Sequence, residues 1–420
     1  MDIVLAFFKE FINMGAAVML PVVIFVLGLF FRMKPAQALR AGLLVGIGFQ
    51  GVVLTINFLL STIQPALDYY TALGSGYDVA EIGFAALGGA SWTTPFAVFA
   101  ISAIVIVNII LLRLKVTKVL NVDIWNFMHF LVPGALAYVL FGNAIVGFLV
   151  AVALSVVTLF VAERVAPKWG EFFGLEGTAC TCLGYIVYEY PLSVLINKVI
   201  DFIPGLNKID LDLDTLSTKI GILGDPAVIG LFVGGFLGIM TQQGFTTIVT
   251  MCVGMAAVMV LLPRMVAIMM EGLTPIGAGA NEFVKKHIDS DANIYVGMDI
   301  ALALGDPCCI TCTAIMIPVT VGLAFLVPDM RFFPAAILAE VCYVAPMAVL
   351  SSKGNVFRTL VCMTVFMYLM LFFANMFAPY ATQMLNACGI DAGGHLVTAS
   401  HFGYNPGNLI VSFIAKAMGI

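Results

Sequence analysis

The chain has 420 residues, of which 62% are hydrophobic and only 10% are charged, and its mean hydropathy is +1.08. A soluble domain cannot bury so much apolar surface, so these values exclude most soluble classes and predict a polytopic membrane protein. The formal net charge of -5 and the lack of a long basic run argue against a nucleic-acid partner.

The apolar runs predict an all-α protein with ten membrane-spanning helices. Residues 1–14 come first, and Asp2, Lys9 and Glu10 interrupt their apolar residues, so this part is predicted to be an interfacial amphipathic segment rather than a secretory signal. The runs that follow are long enough to cross a hydrocarbon core of about 30 Å. They cover 15–31, 41–61, 96–112, 127–141, 144–162, 226–241, 245–263, 313–328, 334–350 and 357–377.

Four further apolar stretches are broken by glycine, proline and polar residues. They are 81–95, 175–204, 295–312 and 389–418. Broken backbone at membrane depth is tolerated only where it is buried in protein or lines a cavity, so we predict re-entrant hairpins at these positions. The alternative that 175–204 and 389–418 are ordinary spans with a kink stays open.

Short motifs recur in the same order and at nearly constant separation, which indicates a duplication. The pairs are Ala86-Leu87-Gly88-Gly89 with Thr94 and Ala303-Leu304-Gly305-Asp306 with Thr311, Gly142-Asn143 and Gly354-Asn355, Ala166-Pro167 and Ala378-Pro379, and Gly174-Leu175-Glu176 and Gly389-Ile390-Asp391. We therefore predict a first copy over 15–205, a cytoplasmic linker over 206–225 and a second copy over 226–420.

The positive charges predict how the two copies are oriented. Six loops hold 14 of the 19 Lys and Arg residues, and alternation of the spans places all six on one side, which is then cytoplasmic. These loops are 32–40, 113–118, 164–168, 208–219, 285–286 and 353–358. Five spans per copy, an odd number, require opposite orientations. We therefore predict two inverted repeats whose interrupted stretches meet near the membrane midplane.

Polar residues in and near the interrupted stretches predict the ligand site, because ionisable side chains at membrane depth are expensive and so are functional candidates. Carboxylates, hydroxyls and imidazoles with few cations favour a neutral ligand rich in hydroxyls. The candidates are Trp92, Thr93, Thr94, His129, Glu176, Asp299, Asp306, Thr311, His395 and His401. Other polar residues nearby in sequence are Glu189, Tyr190, Glu340, Asp391 and Asn405.

The candidates also have structural alternatives. Glu176 and Asp306 could cap helices, and Asp299 could be a turn residue. His129 could bond a core carbonyl, and Thr94 could bond back to a helix carbonyl. The two histidines nearest the C-terminus could lie in terminal loops.

Nine cysteines raise the question of metal or disulfide chemistry. Five of them fall in two clusters, Cys180-Thr181-Cys182 and Cys308-Cys309-Ile310-Thr311-Cys312. Neither cluster has His or acidic ligands at a standard spacing, and cysteine is a small packing residue in helices. We therefore predict no metal site and no cofactor.

Five motifs carry a family resemblance. They are Asn121-Val122-Asp123-Ile124-Trp125-Asn126, Phe173-Gly174-Leu175-Glu176-Gly177, Ile203-Pro204-Gly205, Gly272-Leu273-Thr274-Pro275-Ile276 and Gly354-Asn355-Val356-Phe357-Arg358-Thr359. These motifs resemble the galactitol-type membrane component, IIC, of the bacterial sugar phosphotransferase system. The resemblance covers nearly the whole chain. It implies a homodimeric permease of the ascorbate-galactitol superfamily in the bacterial cytoplasmic membrane, with a dimerising scaffold and a mobile core that carries the sugar in an elevator-like motion. It also implies that a cytoplasmic IIB protein, charged by IIA, donates phosphate to the arriving sugar.

The resemblance gives two carboxylates the leading roles. Glu176 matches the family's Leu-Glu-Gly motif and is our first choice for binding the sugar or positioning its hydroxyl, and Asp306 in a Gly-Asp-Pro break is the second. Phosphoryl transfer needs such a group to take the proton of the acceptor hydroxyl. Relatives often carry His near the positions of Asp306 and Cys182, so the particular sugar or hexitol stays open.

Two other classes of protein remain as alternatives. An ion-coupled secondary transporter of a small polar solute would share the inverted repeats and the midplane carboxylates. A membrane-embedded enzyme or metal-dependent protein is less favoured, because no ligand spacing supports it.

Overall fold

The structure is a computed structural model that describes residues 16–73, 78–91, 94–121, 123–211, 213, 226–287, 294–388 and 396–420. Most of the described chain is helical, and its strands are three or four residues long. The helices of the first half are α1 Ala16–Phe30, α2 Pro35–Leu73, α3 Gly83–Ser91, α4 Ala97–Arg113, α5 Met128–Phe141, α6 Ala144–Phe173 and α7 Tyr190–Phe202. Those of the second half are α8 Pro226–Met240, α9 Phe245–His287, α10 Pro307–Ala324, α11 Ala335–Ser352, α12 Val356–Met376, α13 Ala378–Ala387, α14 His401–Tyr404 and α15 Pro406–Met418.

Every predicted span falls on one of these helices, so the all-α prediction is confirmed. The helices α2 and α9 continue well beyond the predicted ends at 61 and 263, to Leu73 and His287, and α10 begins at Pro307 rather than at 313. Asp306 starts this helix early, because its Oδ1 accepts a hydrogen bond from the Cys309 amide at 3.0 Å and Pro307 supplies a first-turn φ. Within the described residues, three helices are long and apolar enough to cross a membrane by length and composition: α6, α10 and α12.

Helices α1, α2, α8 and α9 form a four-helix layer. The two long helices have 39 and 43 residues, so at 1.5 Å per residue they are about 58 and 64 Å long and extend beyond a hydrocarbon core of about 30 Å. They run antiparallel, since Gly272 of α9 lies against Ala41 of α2 and Gly254 of α9 lies against Thr62. Each long helix follows its short partner through a similar turn, with Arg32 and Gln242 at φ 60° and 55°.

Short parallel strands connect the two halves of the chain. The strands are β1 Val79–Glu81, β2 Val119–Asn121, β3 Thr178–Cys180, β4 Tyr295–Met298 and β5 Leu396–Thr398. β1 pairs with β5, while β4 lies between β2 and β3. The first strand of each half therefore pairs with the last strand of the other half.

The interrupted stretches overlap four of these strands, each followed by a helical segment. In the described residues, β1 leads into α3, β3 into a π-helical turn over Gly184–Glu189, β4 into a 3-10 turn over Ile300–Ala303, and β5 into α14. A strand followed by a helical turn satisfies the backbone polar groups through neighbouring strands. The breaks therefore lie inside the protein, as tolerated broken backbone requires.

An exposed ion pair fixes the end of β1 that faces the loop before α11. The Arg331 guanidinium contacts Asp78 at 2.6 Å, and the Val79 amide donates to the Arg331 carbonyl at 3.0 Å. The hydrogen bond from Arg331 holds the pKa of Asp78 below its usual range. This contact joins two segments that are distant in sequence.

Candidate functional site

Two histidines and a phenylalanine from three helices form an aromatic stack inside the protein. His129 lies in the first turn of α5 and His401 begins α14, and their ring centroids are 5.1 Å apart. Phe84 of α3 stacks on His401 at 4.3 Å and on His129 at 5.3 Å. Asn405 links the segments that carry the two histidines, because its Nδ2 donates to the backbone oxygen of His129 at 2.8 Å. Two candidate residues from opposite halves are therefore neighbours.

A pair of stacked tyrosines extends this group. The rings of Tyr185 and Tyr404 are 5.0 Å apart, and the Tyr404 hydroxyl lies 3.4 Å from His401 Nε2. We call Phe84, His129, Tyr185, His401 and Tyr404 the central cluster. Among the described residues, neither histidine has a hydrogen-bond partner for its Nδ1. Imidazole nitrogens, a phenol and flat rings can together contact the hydroxyls and C–H faces of a sugar.

Two carboxylates at helix starts border the central cluster. Glu340 of α11 accepts a hydrogen bond from the Phe84 amide at 2.7 Å, at the start of α3. Glu81 accepts hydrogen bonds from the Ala336 and Ile337 amides at 2.6 and 2.9 Å, at the start of α11. Glu340 thus caps α3, which follows Glu81, and Glu81 caps α11, which carries Glu340. Anionic groups are favoured at helix N-termini, so these two residues fix α3 against α11.

Asp299 has the turn role that was its structural alternative and also makes a contact with the opposite half. Its Oδ1 accepts a hydrogen bond from the Ala301 amide at 2.7 Å, which caps the 3-10 turn. The Cys182 thiol donates to its Oδ2 at 3.7 Å, and the Ile300 amide donates to the Cys182 sulfur at 3.3 Å. Asp299 therefore links the turn that follows β4 to Cys182, which follows β3.

A cavity of about 590 Å³ opens at the end of the molecule that carries the loop 353–358. Its lining is mainly polar and includes three carboxylates and two cations. The lining residues are Phe172, Asn197, Asp201, Asp210, Leu213, Asp306, Pro307, Cys308, Ser351, Ser352, Lys353, Gly354, Asn355 and Arg358. Pockets for drug-sized ligands have volumes of about 300 Å³ and more. The cavity is therefore large enough for a hexose-sized ligand.

Contacts among the lining residues shape this cavity. Arg358 binds Asp201 at 2.7 Å, and Asn355 caps α12 while its Nδ2 donates to the Ile209 carbonyl at 3.0 Å. Asp306 is half-buried and also lines a second cavity of about 440 Å³, next to Phe172 and Leu175. Asp306 is therefore the candidate carboxylate that both cavities share.

The remaining candidates that the structure describes lie outside the central cluster and outside the lining of both cavities. Glu176 is exposed on the turn between α6 and β3 and lines neither cavity, although its neighbours Gly174 and Leu175 line the smaller one. Thr94 donates back to the Ser91 carbonyl at 2.9 Å, as its structural alternative predicted. Thr311 is buried in α10. Trp92, Thr93 and His395 lie outside the described residues.

Sequence reasoning missed three acidic residues or gave them too little weight. Glu81 lies at the edge of an interrupted stretch and was not selected, while Glu189 and Glu340 were only noted as nearby. Glu189 is fully buried in the π-helical turn. The rule that an acidic residue in an apolar segment marks a functional site would have found all three.

Apolar helices, broken segments that meet inside the protein, and a polar cavity open to one end define a polytopic membrane transport protein. Within this class the chain belongs to a known family: the model of the PTS system sugar-specific permease component, EIIC-GAT, matches residues 10–394. The predicted family is confirmed.

Curated relatives agree with the family match. A "Putative permease IIC component" of Escherichia coli (strain K12) is 30% identical over 414 residues, which cover 98% of this chain and 94% of the relative. The "PTS system galactitol-specific EIIC component" of the same strain is 32% identical over 400 residues, covering 94% of this chain and 88% of the relative. The component of that name from Escherichia coli O157:H7 gives the same values.

Proposed function

We propose that this chain is the bacterial cytoplasmic-membrane subunit that binds a sugar alcohol of the galactitol type and delivers it for phosphorylation during uptake. The observation that carries this proposal is the family match over residues 10–394, which includes most of the central cluster and the whole lining of the larger cavity. The chemistry of the residues agrees, because hydroxyl, imidazole and carboxylate groups suit a neutral polyol.

The charge of the cavity mouth supports its assignment to the cytoplasmic side. Lys353 and Arg358 lie in one of the six basic loops, and such loops face the cytoplasm in membrane proteins. The cytoplasmic IIB protein, which receives its phosphoryl group from IIA, would approach the cavity at this mouth. Asp306 is then the carboxylate best placed to accept the proton of the sugar hydroxyl. Glu176 stays a weaker hypothesis because its side chain is exposed outside both cavities.

The contacts between the halves support inverted repeats, with copies over 15–205 and 226–420 joined by the linker 206–225. The corresponding long helices α2 and α9 are antiparallel, as a two-fold axis in the membrane plane requires. The strands show the same symmetry, because β1 pairs with β5 and β4 pairs with β3, so that the first strand of each half pairs with the last strand of the other. One axis would therefore pass between the halves, close to the stacked Tyr185 and Tyr404.

The four-helix layer supports a division into a scaffold and a moving core. Its helices expose large apolar residues such as Ile47, Phe58, Phe236 and Val253, which face lipid or a second copy. The strands, the central cluster and the larger cavity belong to the other part of the chain, and Ala267 of α9 adds to the lining of the smaller cavity. We propose that the layer forms the homodimer and that the rest carries the sugar across the membrane in an elevator-like motion.

Uptake into membrane vesicles tests this function. We expect labelled galactitol or another hexitol to accumulate as its phosphate, and only when phosphoenolpyruvate, the proteins that pass its phosphoryl group to IIA, IIA itself and IIB are supplied, because the permease has no phosphate carrier of its own. A panel of hexitols and hexoses identifies the substrate. Accumulation of free sugar driven by a proton or sodium gradient would contradict the proposal and favour an ion-coupled transporter.

A further inference from the structure

Two segments in opposite halves carry the same buried polar pattern. Gly184-Tyr185 is followed by Glu189 and Ser193, and Gly403-Tyr404 is followed by Asn408 and Ser412, each four residues apart. In the first segment the π-helical turn continues directly into α7, so steps of four residues keep these side chains near one face. In the second segment the extended backbone of Asn405 separates Tyr404 of α14 from Asn408 and Ser412 of α15. The two tyrosines that begin the patterns are the stacked pair of the central cluster. The first half therefore sends one polar helix face away from the central cluster.

The polar atoms of these two segments have no partners among the described residues. Glu189, Asn408 and Ser412 are fully buried and Ser193 is 1% exposed. Both oxygens of Glu189, the side-chain oxygen and nitrogen of Asn408, and both serine hydroxyl oxygens have no hydrogen-bond partner in that part of the chain. Buried polar groups in native proteins are almost always bonded, so these groups meet a partner outside the described protein atoms, such as a ligand or an ordered water.

The face that begins at Tyr185 leads from the central cluster to the cytoplasmic cavity. Asn197 is the next residue four positions after Ser193, and it lines that cavity. Its Nδ2 donates to the hydroxyls of Ser351 and Ser352, both at 3.1 Å. From Tyr185 to Asn197 the path is about 18 Å at 1.5 Å per residue, and Glu189 lies one third of the way along it.

The surroundings of Glu189 define which ligand it can take. The titratable groups near it are the thiols of Cys180, Cys309 and Cys362, and no lysine or arginine of the described chain acts on it. A buried carboxyl group without a cation can exchange hydrogen bonds with the hydroxyls of a neutral polyol. The π-helical turn that carries Glu189 is a rare form that is frequent at functional sites.

Resting on the proposed function, we propose that Glu189 binds a hydroxyl of the unphosphorylated sugar alcohol on its way from the central cluster to the cytoplasmic cavity. Ser193 and Asn197 extend this hydroxyl-binding face to the cavity. Glu189 is thus a binding residue of the inward path.

Equilibrium binding of a labelled hexitol to the purified protein in lipid nanodiscs tests this. We expect Glu189→Gln to weaken hexitol binding about tenfold, because the amide replaces one of the two carboxyl oxygens with a group that cannot accept a hydrogen bond. Glu189→Asp keeps the carboxyl group and should retain binding within about threefold. Glu171→Gln makes the same change at an exposed position of α6 that lines neither cavity and should leave binding within about twofold. Thermal unfolding of each variant checks that it is folded.

The outcomes separate this inference from the proposed function. Wild-type protein that binds no hexitol overturns both. Wild-type protein that binds a hexitol, with Glu189→Gln binding it equally well, overturns the role of Glu189 alone and leaves water as the partner of that carboxyl group. Equal loss of binding in Glu189→Gln and Glu189→Asp would point to packing and also overturn it.

Discussion

Replacing Asp306 with Asn should remove most sugar uptake and leave helix α10 intact. Asn is as good an N-cap as Asp, so its side-chain oxygen can still accept the hydrogen bond from the Cys309 amide. What the substitution removes is the negative charge at the boundary of the two cavities. A hydrogen bond to a charged group contributes about 1.5–3 kcal/mol, so we expect uptake to fall about tenfold or more.

The controls for Asp306 separate capping from binding. Asp306→Ala removes the cap as well as the charge, so it should lower both the unfolding temperature and uptake. Asn355→Asp exchanges the same two side chains at the other N-cap in the cavity and should keep α12 folded. Uptake and unfolding temperature are measured for all three variants. Full uptake by Asp306→Asn would show that Asp306 only caps its helix.

Replacing Gly403 with Ala should destabilise the whole protein. Helix α14 approaches α12 so closely at this point that an added Cβ would overlap the carbonyl oxygen of Met370. A backbone atom cannot move aside as a flexible side chain can, so α14 would be displaced together with His401 and Tyr404. Forced overpacking of this kind costs about 3 kcal/mol. Thermal unfolding of the purified protein measures the change.

Gly322 provides a matched control for Gly403. It also lies in a helix, α10, but an added Cβ there would meet no atom within 4 Å. Gly322→Ala should therefore keep or slightly raise the unfolding temperature, because Ala favours helices by about 1 kcal/mol over Gly. If Gly403→Ala were as stable as Gly322→Ala, the close packing of α14 on α12 would be wrong.

The helices could be predicted from the sequence because each apolar run is long. The start of α10 could not be predicted from apolar residues alone, since a polar cap and a proline begin it at Asp306-Pro307. The strands were missed because three or four residues are too few to show alternation between two faces. Their pairing across the halves depends on tertiary contacts that local sequence does not encode.

The candidate site could be predicted residue by residue but not as an arrangement. His129, His401 and Asp299 were selected because ionisable groups are rare in apolar segments, and the structure places all three at breaks between strands and helices. Their neighbours depend on contacts such as that of Asn405 with the His129 carbonyl, which joins residues far apart in sequence. Glu176 shows the opposite case, since a motif resemblance ranked it first and its side chain is exposed.

Labelling from either side of the membrane tests the inverted arrangement most directly. Single cysteines replace Arg32 or Lys353 at turns with similar left-handed backbone, and a cysteine at the exposed Phe325 serves as the control on the opposite side. After subtraction of the labelling of the wild-type chain, which has nine cysteines of its own, the account predicts that an impermeant maleimide added outside cells labels the Phe325 position only. It should label the Arg32 and Lys353 positions from the cytoplasmic side of inverted vesicles. Labelling of the Arg32 and Lys353 turns from opposite sides would contradict the inverted repeats and the shared inward path.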